Sequence, residues 1–173
     1  MGPLLLSSTQ QREFFMPHFL NLSLSSLKTM LERGETTSVQ LVEQALAGFE
    51  QLNPLINAVV TTHPELSMRY AEKADALRAK GEIVGPLHGI PMTIKDSLDT
   101  FDMNTTWGTE GRTAHRPGHD AISVARLRGA GAILVGKTNT PELTLSYQTD
   151  NSIFGRTSNP HDIDRTSGGS SGG

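Results

Sequence analysis

The stretch Gly85-Pro86-Leu87-His88-Gly89-Ile90-Pro91-Met92-Thr93-Ile94-Lys95-Asp96 decides the fold. A glycine- and proline-rich approach leads into a strand-like run, Ile90 to Ile94, which ends on a lysine and an aspartate. Downstream, Asp120 predicts a cap for a helix through Ile122, Val124, Ala125 and Leu127, closed at Gly129 and Gly131. Ala132-Ile133-Leu134-Val135 is then an apolar run of the length of a buried parallel strand. Strand, helix, strand makes a βαβ unit with parallel strands and a right-handed crossover. It sets Lys95 and Lys137 near the carboxyl ends of neighbouring strands, the edge where open α/β sheets bind ligands.

Upstream of this unit the pattern is helical. Leu24, Leu27, Met30 and Leu31 recur at helical spacing until Gly34. Thr37 caps a second helix with Gln40 in the capping-box position, and Asn53-Pro54 ends it. Ile56 to Val60 reads as a short strand. Pro64 opens a third helix, closed by Gly81. Residues 1–22 read as a lead-in or a helix for a partner contact, 23–81 as a helical layer, and 85–173 as the catalytic-core part. Thr105 to Gly111 reads as loop, and Pro141 starts a short helix through Ser146. From Gln148 onward the Ser, Thr, Asn, Asp, Gly and Pro content predicts loop, anchored by Ile153 and Phe154. No repeat or linker divides the chain.

Composition narrows the function. At 173 residues, 36% hydrophobic and 19% charged, the chain suits one globular domain. A net charge of −3, with basic residues scattered, gives no reason to expect nucleic acid or an anionic membrane as partner. There is no cysteine, hence neither disulfide nor thiol catalysis, which fits the cytoplasm. The histidines lack metal spacing: His115 and His119 are separated by Pro117 and Gly118 and read as loop residues. Met1 to Leu6 is too short for a secretory segment, and no apolar run reaches membrane-spanning length.

The last stretch, Arg165-Thr166-Ser167-Gly168-Gly169-Ser170-Ser171-Gly172-Gly173, holds four glycines and three serines. A flexible tail, a phosphate-cradling loop and a serine held for nucleophilic chemistry all suit it. The phosphate reading lacks the lysine that should follow the glycines. A serine nucleophile needs a base. The nearest histidine is His161, in Asn159-Pro160-His161-Asp162, so lysine is a candidate, provided burial keeps it neutral. Lys95 follows a mostly apolar strand, which suits burial.

Together these two stretches, with Gly136-Lys137-Thr138-Asn139-Thr140-Pro141-Glu142 and Asn151-Ser152-Ile153-Phe154-Gly155-Arg156-Thr157-Ser158-Asn159-Pro160, resemble the amidase signature family. The resemblance runs from about Leu27 to the last residue. It implies an α/β/α fold around a mixed sheet with N-terminal helices, and a Ser-Ser-Lys triad. Lys95 matches the family's base. Ser170 matches the bridging serine, which carries a cis peptide bond and touches substrate. Ser171 is its support. Thr144 and Leu145 correspond to the substrate-pocket wall. Asp96 and Asn139 read as loop-fixing residues and Lys137 as structural. His161 and Ser167 replace an aromatic residue and a proline common in the family. The family's nucleophilic serine lies further on, in a Gly-Ser-Asp-x-Gly-Gly-Ser segment that also forms the oxyanion hole, so the chain reads as truncated before it.

The implied activity is hydrolysis of a carbon–nitrogen bond in a small-molecule amide, with neither metal nor organic cofactor. The glutamine-hydrolysing component of an amidotransferase is an alternative. It fits less well at Tyr147-Gln148-Thr149-Asp150-Asn151, which looks more like stand-alone and fatty-amide-type members. A non-catalytic truncated binding module is another. A sheet cut before its remaining strands exposes an edge, which predicts aggregation or a homodimer.

Overall fold

The computed structural model describes residues 22–173, so the lead-in expected over the first residues lies almost wholly outside the described part. Helices α1 (Leu24–Arg33), α2 (Ser38–Ile56) and α3 (Pro64–Ala79) surround strand β1 (Val59–Thr62) in sequence. Then come β2 (Pro91–Lys95), α4 (Ile122–Gly129) and β3 (Ile133–Thr138), followed by β4 (Ser158–Asn159) and β5 (Asp162–Thr166). Among the described residues, β1, β3 and β2 form a sheet in that order, and β4 and β5 form a hairpin. β2 runs parallel to β3 and β1 antiparallel to it, so the sheet is mixed.

Apolar alternation along β3 builds the layers. Ile133 and Val135 pack with Val42 and Ala45 of α2 and Ala71 and Ala74 of α3. Leu134 faces the other way, against Ile94 of β2 and Val124 of α4. The result is helix, sheet, helix. No helix among the described residues is long and apolar enough to cross a membrane.

The ends of α2 show what sequence spacing reads well and what it does not. At its start the capping box is complete: Gln40 N–H donates to Thr37 Oγ1, and Thr37 N–H donates to Gln40 Oε1. Asp75 of α3 adds acceptors for the N–H groups of Ser38 and Val39. At its end, the helix does not stop at Asn53-Pro54 but carries Pro54 inside its last turn and closes on Asn57 in the left-handed region. Asn53 makes this possible. Its Oδ1 accepts from Ala58 and Val59 N–H, and its Nδ2 donates to Val59 O at 2.6 Å. The following strand therefore begins at Val59 rather than Ile56.

Three further expectations are corrected. Asp120 does not cap α4, whose cap is Ala121 without a side-chain bond. The Asp120 carboxylate instead accepts from Phe101 N–H and pairs with Arg128, a stronger partner than an exposed helix N–H. The segment after Gln148 is not all loop, because β4 and β5 pair within it. Pro141 starts only a 3₁₀ turn over Glu142–Thr144, since Leu143 and Thr144 take positive φ and break the helical path. A second 3₁₀ turn, Glu110–Arg112, closes the loop before α4.

Candidate active site

Lys95 is the last residue of β2 and pairs in register with Thr138, the last of β3. Its ammonium nitrogen Nζ lies 2.8 Å from Ser170 Oγ, across 75 residues of sequence. Burial holds the Lys95 pKa below its ordinary value. A lysine in that condition can lose its proton and then accept one from a hydroxyl.

The glycine–serine stretch that carries Ser170 is tied down, not a loose tail. Gly168 O accepts from both Thr149 N–H (2.9 Å) and Thr149 Oγ1 (2.8 Å). Ser170 O accepts from Thr140 Oγ1 at 3.2 Å. The Gly169–Ser170 peptide bond is cis. Only glycine fits at 169, where a Cβ would stand 2.8 Å from Ser146 O and 2.9 Å from the Tyr147 carbonyl carbon. At Gly172 a Cβ would collide with Thr149 Oγ1. Ser171, next after Ser170, is exposed.

Behind Lys95, the chain is locked by Asp96, which is fully buried. Asp96 N–H donates to Thr138 O, and its Oδ2 accepts from Thr106 N–H and from the Thr106 hydroxyl. Its Oδ1 stands 3.2 Å from Lys137 Nζ, an ion pair with no exposed surface on either side. Lys137 also donates to Leu98 O and Thr105 Oγ1. Strict alternation from Ile133 and Val135 would turn Lys137 toward α2 and α3. An irregularity in the pairing, where Met92 faces Leu134 but Thr93 faces Gly136, brings Lys137 opposite Ile94 and so onto the face of Asp96. Burial lowers the Lys137 pKa while Asp96 works against that fall. Lys137 is thus structural, and Lys95 stands on the opposite face of the sheet from it. Asn139 fixes loops as well, donating to Gly155 O and Thr157 Oγ1 and accepting from Thr140 N–H and Asn151 Nδ2.

Thr144 and Leu145 close the 3₁₀ turn and leave Leu145 82% exposed. No hydrogen bond joins either of them to Ser170 among the described residues; the contact with the serine loop comes from the next segment, Ser146 to Gln148, against Gly169. Sequence does not single out Thr140, Thr149 or Thr106. A buried threonine that bonds a distant carbonyl has no periodicity to reveal it; only the density of threonines around Asn139 hints at this. Trp107 likewise falls in a stretch that reads as loop. It has φ 56°, a conformation costing a non-glycine residue about 1–2 kcal/mol. Its N–H donates to Asp96 O, its carbonyl accepts from Leu143 N–H at 2.7 Å, and the Arg112 guanidinium sits 4.3 Å from its ring centre.

Comparison with known proteins adds the context. The family model described as amidase matches residues 40–173. The A subunit of the glutamyl-tRNA(Gln) amidotransferase of Rhodopirellula baltica is 44% identical over 150 residues, covering 87% of this chain and 30% of that protein. Among solved structures, the native peptide amidase of Stenotrophomonas maltophilia superposes with a TM-score of 0.84 at 31% identity, over 90% of this chain and 33% of that one. A crystal structure of an amidase gives 0.81 at 36% identity, over 87% and 34%. The chain spans about a third of the length of the relatives it matches.

Proposed function

This chain belongs to the amidase signature family, and from that premise we propose that it carries the lysine and bridging serine of an enzyme that hydrolyses a carbon–nitrogen amide bond. The observation that supports this most is the 2.8 Å approach of Lys95 Nζ to Ser170 Oγ. Neutral Lys95 accepts the proton of Ser170 Oγ as that oxygen takes one from a nucleophilic serine. The family resemblance puts that serine in the Gly-Ser-Asp-x-Gly-Gly-Ser segment, within the length of the relatives that this chain does not span. The nucleophile attacks the amide carbon, and the acyl group passes to it. The relay runs backward to protonate the leaving amine or ammonia, and water then releases the acid. The fixed loops around Asp96 and Asn139 supply the rigidity that such a relay needs. Thr144 and Leu145 are proposed as part of the wall of the substrate pocket. On this reading residues 85–173 are core, 23–81 are a packing layer, and the enzyme works in the cytoplasm on a small-molecule amide.

In the full-length protein, Lys95→Ala and Ser170→Ala are each expected to lower kcat/KM by roughly 100- to 10,000-fold. Near-normal turnover in both variants would sink the assignment. A second reading, glutamine hydrolysis on behalf of a partner protein, is supported by the 44% identity to the amidotransferase component of Rhodopirellula baltica. Co-purification with such a partner, together with a strict requirement for glutamine, would select it.

A further inference from the structure

We propose that Thr140 is a positioning residue whose hydroxyl sets the carbonyl of Ser170 and so holds the Ser170 hydroxyl within reach of Lys95. This role rests on the amidase reading and adds to it a residue that acts through Ser170.

Both partners of the relay are positioned from one strand end. Lys95 closes β2 opposite Thr138, the last residue of β3. Asp96 N–H donates to Thr138 O at 2.9 Å, which carries the register past the lysine. Just beyond Thr138, Thr140 turns its Oγ1 to Ser170 O and donates to it at 3.2 Å. The end of β3 therefore places Lys95 through the sheet and Ser170 through Thr140.

Such a reference point must itself be fixed, and Thr140 is. It is fully buried. Its N–H donates to Asn139 Oδ1 at 3.0 Å, and its carbonyl accepts from Asn151 Nδ2 at 2.7 Å. Asn151 Nδ2 also donates to Asn139 Oδ1. Asn139 N–H in turn donates to Ala58 O at 2.8 Å, and its Nδ2 donates to Gly155 O and Thr157 Oγ1. The β-branch of Thr140 restricts its χ1. The hydroxyl thus leaves from a fixed place.

What its bond controls follows from the connectivity of serine. The Ser170 carbonyl and Oγ are joined through C, Cα and Cβ, so fixing the carbonyl steers the Cα–Cβ direction. On the other side Gly168 O is held by Thr149 N–H and Oγ1. With the chain gripped before and after Cα, the main freedom left to Oγ is rotation about χ1. Oγ then meets Lys95 Nζ at 2.8 Å. At 3.2 Å the Thr140 bond is long for a hydroxyl donor, so it contributes direction more than stability. Direction matters here because proton transfer needs its heavy atoms within about 2.6–3.2 Å.

The test measures kcat and KM of the full-length protein for propionamide, phenylacetamide and glutamine. Thr140→Val keeps the shape and deletes the donor. On the amides that the wild type hydrolyses, it is expected to lower kcat about tenfold to a hundredfold, with KM and melting temperature nearly unchanged. Thr140→Ser keeps the donor and should retain most of the wild-type kcat. Because Thr140 acts through Ser170, Thr140→Val should leave the residual turnover of Ser170→Ala unchanged. A wild-type kcat in Thr140→Val overturns the proposal, as does a loss carried by KM alone. So does an equal fall in the wild-type and Ser170→Ala backgrounds, or a folded Thr140→Ser as slow as Thr140→Val. Should Thr140→Val fail to fold, Thr140→Ala takes its place in every comparison and the same outcomes decide. In each overturning case Lys95→Ala and Ser170→Ala stay slow and the amidase reading stands. A wild type that hydrolyses no amide overturns that reading and this inference with it.

Discussion

Lys95 and Lys137 are neighbours in the sheet and yet do opposite things, because partners and burial differ. Lys137 has a carboxylate beside it and no exposed surface. Breaking such a pair strands a buried charge, so Lys137→Met is expected to cost about 3–5 kcal/mol. Denaturant unfolding of the full-length protein would measure this. The double variant Lys137→Met with Asp96→Asn should lose less than Lys137→Met alone. A single variant with wild-type stability would contradict the structural role. Among the described residues the Lys95 side chain has only a hydroxyl as hydrogen-bond partner, and burial lowers its pKa. The sign for stability follows from that direction. Below the folded-state pKa the lysine is charged in both states, and the folded form bears the full cost of desolvating it. As pH rises from the folded to the unfolded pKa that cost disappears, since the proton then has to be released only by the unfolded chain. Lys95→Met is therefore expected to raise the melting temperature near pH 7 while lowering turnover as steeply as Lys95→Ala does. A lower melting temperature would mean that the Ser170 contact outweighs the desolvation.

At the level of elements, close approach is what glycine permits here. Gly131, at φ 95° between α4 and β3, lies where a Cβ would stand 2.6 Å from His88 Cα. Gly131→Ala is expected to destabilise by about 2–4 kcal/mol, combining a left-handed backbone with overpacking. Gly118→Ala, with open space around it, should change stability by less than about 0.5 kcal/mol. Equal melting temperatures for the two variants would contradict close packing at the start of β3. The same elements show what is legible in sequence. The βαβ unit, the capping box at Thr37 and the glycine stops can be read because burial imposes a period and caps have side-chain signatures. The β4–β5 hairpin cannot. Its one large apolar residue, Ile163, is itself exposed, and Arg156 donates to the Ile163 and Asp164 carbonyls from outside the strands. With no buried face there is no alternation to see. The turn of helix beyond Pro54 is hidden too, since it depends on Asn53 reaching forward to backbone whose position local spacing does not specify.

For the molecule as a whole, the sheet order β1-β3-β2 leaves one side of each outer strand unpaired among the described residues. The isolated 173-residue chain is therefore expected to self-associate in light scattering; a monodisperse monomer would show that these edges are protected. The pairing of Lys95 with Ser170 belongs to this scale as well. Each motif can be recognised in sequence by its resemblance to a family, whereas their meeting depends on the sheet, on the Thr149 and Thr140 bonds, and on Gly169 lying against Ser146 to Gln148. The most direct test of Lys95 as the base is kcat/KM for a simple amide against pH in the full-length protein. An ascending limb is expected, because the lysine must be neutral, with a midpoint below the usual lysine value of about 10.4. That limb should be missing from whatever activity remains in Lys95→Ala. A flat profile in the wild type, or the same limb in Lys95→Ala, would contradict the role of Lys95 as base.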